Sequence, residues 1–69
     1  MKGEHRMKVF DYVNKLGCHK RLVVKPLNGD GLYTTTIWNM KNGEICGIGE
    51  ATAQELKDFL AHYGLEFKE

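Results

Sequence analysis

Serine is missing from these 69 residues, proline occurs once and cysteine twice. The first absence excludes a seryl nucleophile, and no pair of carboxylates is placed to suggest a catalytic cleft. Cys18 and Cys46 form no CxxC pair, and His5, His19 and His62 are scattered, so the chain spells out neither a zinc site nor a disulfide framework. The two thiols read as reduced, small, packed side chains. Cys18 and His19 are neighbours, which puts them on opposite sides of an extended chain and makes them poor joint ligands. No catalytic residue, metal or cofactor is expected. There is also no apolar run long enough to cross a bilayer or to act as a signal peptide, which implies a soluble, cytoplasmic protein with no membrane partner.

What is present suits one small globular domain, with 42% hydrophobic and 28% charged residues. A chain of this length hides only about 60% of the surface its unfolded form exposes. It therefore depends on one compact core, or on a partner chain that covers part of it, and homodimerisation is one way to supply that cover. Net charge is +1, but unevenly spread. Seven Lys and Arg oppose two acids up to Pro26, a net +5, whereas three Lys oppose seven acids from Leu27 onward, a net −4. Such a division marks either a polyanion-binding face or a dipolar surface.

Along the chain, Val9, Val13 and Leu16 recur at helical spacing with Phe10 and Tyr12 beside them, and Gly17 follows, which predicts an amphipathic helix over residues 4–16. "RLVVK", residues 21–25, reads as a strand stopped by Pro26. "NGDG", residues 28–31, is turn chemistry. "LYTTTIWNM" reads as a second strand, with Leu32, Thr34, Thr36 and Trp38 on one face and Tyr33, Thr35 and Ile37 on the other. Asn42-Gly43 predicts a hairpin into a third strand from Glu44 to about Ile48. Thr52-Ala53-Gln54-Glu55 is a capping box, opening a helix with Ala53, Leu56, Leu60 and Tyr63 as its apolar stripe, Phe59 beside it and Gly64 as its stop. The expected fold is thus α+β, of α-β-β-β-α order, with a three-stranded antiparallel sheet and two helices packed on one face.

Gly47-Ile48-Gly49-Glu50 lacks the third glycine and the Gly-Lys-Ser/Thr ending of the phosphate-binding loops, and Glu50 and Glu55 occupy the place an anion would take. The glycines read instead as a bend and a close approach of strand to helix.

The order of elements, "LYTTTIW", "NGEICGIGEAT" and the alanines Ala51, Ala53 and Ala61 resemble the double-stranded RNA-binding domain over roughly residues 7–65. The resemblance implies RNA contacts from the first helix (Lys8, Asn14, Lys15) and the hairpin turn (Lys41, Asn42). The lysines that open that family's last helix are replaced here by "EATAQE". "VFDYVNKLGC" and "ELKDFLAHYGLEF" also resemble small toxin ribonucleases of the HicA type, whose Gly-Ser-His step is replaced by Thr34-Thr35-Thr36.

Two functions follow. A nucleic-acid-binding module would use Lys8, Lys15, His19, Lys20, Arg21, Lys25 and Lys41 against phosphates. A protein-binding module, of the kind seen among small accessory or inhibitor proteins of phages and mobile elements, would use the sheet face left open by the helices. Its candidates are Tyr33, Thr35 and Ile37, or Trp38 with its neighbours. Trp38 is also read as core, since large aromatics dominate small cores. Charge layout and resemblance set nucleic acid narrowly ahead. Both readings are non-enzymatic.

Overall fold

The segment "KVFDYV" alternates strictly: Lys8, Phe10 and Tyr12 turn inward while Val9, Asp11 and Val13 turn out, and it forms strand β1 (Lys8–Val13). The computed structural model of the chain describes residues 7–27 and 31–68. Strands β2 (His19–Leu27), β3 (Leu32–Asn39) and β4 (Glu44–Thr52) follow, and one helix, α1 (Ala53–Ala61), comes last. The four strands make one antiparallel sheet in the order β1-β2-β3-β4.

The architecture is therefore β-β-β-β-α, and the expected α-β-β-β-α order, with three strands and two helices, is corrected. Val9, Val13, Phe10 and Tyr12 fit a period of 3.6 loosely and a period of 2 strictly. Being β-branched or aromatic, they favour the strand. Paired with β2, β1 brings Phe10 beside Leu22 and Tyr12 beside Lys20. Gly17 does adopt a left-handed φ of +82°, but within a hairpin turn rather than at a helix end. Asn14 organises that turn, its Oδ1 accepting from the backbone N–H groups of Leu16 (3.0 Å) and Cys18 (2.9 Å).

The first predicted strand is longer than expected, and Pro26 lies inside β2 rather than after it. Among the described residues β1 pairs with β2 only as far as Val24, so Pro26 has a described neighbouring strand on one side alone, a setting in which proline is tolerated. Of the "NGDG" turn, residues 28–30 lie outside the described residues and Gly31 has φ +79°. The Asn42-Gly43 hairpin is present, with Gly43 at φ +72° and Asn42 Oδ1 accepting from the Glu44 N–H at 3.0 Å. Strand β4 runs on past Ile48 to the helix cap. Cys46 has no partner in the register, a bulge opposite the Ile37–Trp38 step. A Cβ on Gly47 or Gly49 would meet only Ile37 or Thr35, at ordinary contact distances, so these glycines are not required by a close approach of the helix.

The capping box is formed: the Glu55 N–H donates to Thr52 Oγ1 at 3.1 Å, and the Thr52 N–H donates to Glu55 Oε1 at 2.8 Å. After the helix, Gly64 (φ +71°) reverses the chain and the Leu65 N–H donates to Leu60 O at 3.0 Å. The reversal lays residues 65–68 across the sheet and inserts Phe67, 5% exposed, between Phe10 and Tyr33 with ring centroids 6.1 and 5.2 Å away. Leu22, Val24, Leu56, Leu60 and Phe67 are the buried core. Tyr12, Phe59 and Tyr63 form a second aromatic group against its side. All of this packing lies on one face of the sheet.

Candidate functional site

Alternation along paired strands assigns every side chain of the sheet to a face. The inward set includes Lys8, Phe10, Tyr12, Lys20, Leu22, Val24, Tyr33, Thr35 and Ile37. The other face carries three cross-strand rows. One is Val9, Val23, Thr36 and Ile48; beside it lies Asp11, Arg21, Trp38 and Ile45; on the other side lies Lys25, Thr34 and Glu50. Met7, Val13 and Met40 extend these rows. Among the described residues no helix covers this face, since α1 packs on the opposite one; the sheet keeps the open face expected of it although its first element is a strand.

Among the described residues seven large apolar side chains are exposed, and six of them, Met7, Val9, Val13, Met40, Ile45 and Ile48, stand on this one face. The seventh, Leu16, is in the β1–β2 turn. Singly exposed apolar residues are ordinary, but a contiguous patch is not. Ile48, on the edge strand β4, is 77% exposed, and Met7, Val9, Val23, Trp38 and Met40 line a shallow groove. Trp38 is partly exposed there and is not in the core cluster.

The face carries one built ion pair. Arg21 Nε and Nη2 donate to Asp11 Oδ1 (2.7 Å) and Oδ2 (3.1 Å), a two-pronged contact between paired strands. The hydrogen bond from Arg21 holds the Asp11 carboxyl below its ordinary 3.8, and the carboxylate in turn raises Arg21. On the inward side, burial raises the Tyr12 hydroxyl, with Tyr63 and Cys46 adding to the effect.

The predicted interface residues divide. Trp38 is on the open face, whereas Tyr33, Thr35 and Ile37 face the helix, Tyr33 and Ile37 packing on the core. The seven basic candidates are not gathered into one surface either. Lys8 Nζ lies 4.9 Å from the Phe67 ring centroid, Arg21 is bonded to Asp11, and Lys25 stands on the open face toward the helix-entry end. Lys15 is in the β1–β2 turn, and His19, Lys20 and Lys41 border a concavity at that same end with Leu16 and Cys18. Lys20 Nζ donates to Cys46 Sγ at 3.4 Å. Cys18 and Cys46 are both exposed free thiols, so neither is the packed side chain expected. No three His, Cys, Asp or Glu side chains converge among the described residues.

Val23, Ile45, Ile48, Met7 and Met40 are not among the surface candidates of the sequence, and Val9 and Val13, read there as the apolar stripe of a helix, stand on the open face instead. The signal for β1 was present, since "KVFDYV" read at period 2 puts two valines on the face of Trp38. Comparison with protein-family models, with curated proteins and with solved structures finds no match to this chain. No helix among the described residues is long and apolar enough to cross a membrane.

Proposed function

We propose that the protein is a small non-enzymatic binding module whose working surface is the open face of its sheet and whose partner is a protein surface. The observation that carries this reading is the contiguity of the exposed apolar side chains around Trp38 and Ile48 on one side of the sheet. Four strands spaced about 4.8 Å apart, with β2 about 26 Å long, give the face a footprint of about 500 Å². Its apolar side chains share that footprint with the Asp11–Arg21 pair, Lys25, Thr34, Thr36 and Glu50, a mixture ordinary for protein interfaces. Its composition suits recognition, with a tryptophan as anchor and two methionines that adapt their shape. The scattered basic residues weaken the reading as a nucleic-acid surface, since Arg21 is already neutralised.

A photo-cross-linking residue at position 48, compared with one at exposed position 57 on the outer side of the helix, tests this in cells expressing the chain. A discrete product from position 48 and none from position 57 is expected. No discrete product from position 48 contradicts the reading.

A second reading has its own observation: Lys15, His19, Lys20 and Lys41 share the turn end, with Glu44 the acid nearest in sequence to that cluster. Few phosphate contacts are available there, so any polyanion binding is weak and strongly salt-dependent. A titration with duplex and single-stranded RNA at two salt concentrations decides it. Salt-sensitive binding abolished by Lys15→Glu with Lys41→Glu supports this reading, and the absence of binding at low salt ends it.

A further inference from the structure

We propose that the surface covering the open face is the same face of a second copy, packed as a two-fold sandwich whose axis runs along the strands between β2 and β3. The inference rests on the reading of this face as a protein-binding surface and names the partner. The arrangement of side chains on the face argues for it. A two-fold axis along the strands keeps each row in place and reverses the strand order, so β1 lies over the copy's β4 and β2 over its β3. Val9 then meets Ile48, and Val23 meets Thr36, each across the interface. Arg21 reaches the ring of Trp38, a contact between guanidinium and aromatic face.

Charge supports the same axis. Lys25 and Glu50 lie in one row with Thr34 between them, two strands apart, and have no ion pair with each other. By the same mapping Lys25 lies over Thr34 of the copy, and the copy's Glu50 stands one strand to the side, within reach of a lysine side chain; the relation occurs twice. The alternative axis, across the strands, would lay β1 on β1 and reverse the rows. That arrangement sets Val9 against Asp11, as the favoured axis sets Asp11 against Ile45, so the carboxylate does not separate the two; it differs in bringing Lys25 of neither copy near Glu50 of the other. Of the two axes, the one along the strands alone brings unlike charges together, which favours it.

The size also fits. Two footprints of about 500 Å² amount to about 1,000 Å² before side-chain relief is counted, where specific interfaces begin. Aligned sheets pack about 10 Å apart at about 30°, a geometry the twist of both sheets already favours. The sandwich places a second apolar layer against β1–β4, leaving each copy's helix on the outside.

Sedimentation equilibrium over roughly 1–200 µM of the full chain, at low and high salt, tests this. The expected result is a reversible dimer. Ile48→Lys, at a site exposed in the monomer, should weaken it by about thirtyfold or more with an unchanged circular dichroism spectrum. Lys25→Glu and Glu50→Lys should each weaken it by about fivefold, and the double variant should restore it, because the swap rebuilds both ion pairs. A chain monomeric throughout overturns the proposal. If position 48 still gives a cross-linked product of a mass other than two chains, the protein-binding reading survives it. A dimer indifferent to Ile48→Lys, such as one joined through the β4 edge, overturns the proposal, and the cross-link at position 48 then decides the protein-binding reading separately. Failure of the double variant to recover overturns the axis.

Discussion

Replacing Phe67 with alanine removes the side chain that closes the core from the far side of the helix. Its ring is 5% exposed and touches Phe10 and Tyr33, and Lys8 lies over it. Truncating a buried phenylalanine costs about 3–5 kcal/mol. Its neighbours Phe10 and Tyr33 are only partly buried and can relax into the gap, so the low end, about 3 kcal/mol, applies. A domain of this length holds only about 3–10 kcal/mol in total. With an unfolding entropy of about 2.1 cal/mol/K per residue, a 3 kcal/mol loss lowers Tm by about 20 °C. Thermal unfolding followed by circular dichroism measures it, at one fixed protein concentration because self-association raises apparent stability. Leu16→Ala, at an 87% exposed site in the first turn, is the control and should move Tm by no more than a few degrees. A loss below about 4 °C for Phe67→Ala would mean that the tail does not pack on the sheet and that the core is closed by the helix alone.

Thr52→Ala removes one half of the capping box and should destabilise the fold by about 1 kcal/mol, read by urea denaturation with an unchanged m-value. Asn14→Ala deprives the Leu16 and Cys18 N–H groups of their acceptor in an exposed turn and should cost about 1 kcal/mol, whereas Asn42→Asp, which keeps an acceptor for the Glu44 N–H, should change stability by less than half of that. Asp11 has a folded-state pKa below its unfolded value, so its contribution to stability is complete above the unfolded value and is lost as pH falls through the folded one. NMR titration of its side-chain carboxyl should give a pKa below 3.8 that returns toward 3.8 in Arg21→Gln, and a wild-type value at or above 3.8 would mean the ion pair is not formed in solution.

Local chemistry was the most legible part of the chain. Thr52 and Glu55, Asn42-Gly43 and Gly64 each act within a few residues, and each forms the cap, hairpin or stop its residue types predict. The parity of β3 was legible as well, since alternation alone puts Trp38 opposite in face to Ile37. The first element was misread because Val9, Val13 and Leu16 also satisfy a helical spacing, and a six-residue segment cannot separate the two periods by itself. What decides is tertiary: β2 offers an edge whose register buries Phe10 beside Leu22. That one reversal changes the site, because a fourth strand widens the open face and adds Val9, Asp11 and Val13 to it. The burial of Phe67 was equally illegible, as it depends on the chain reversing at Gly64 and returning over strands distant in sequence.

Trp38 is the only tryptophan and stands on the open face, so the protein carries its own probe of the surface on which the account depends. The direct measurement is acrylamide quenching of its fluorescence across the concentration range in which the mass in solution is followed. Quenching that falls in step with dimer formation, with an emission maximum moving to shorter wavelength, is the predicted result. Quenching that stays constant while the mass doubles, or a mass that never doubles, would contradict the claim that two copies meet through this face.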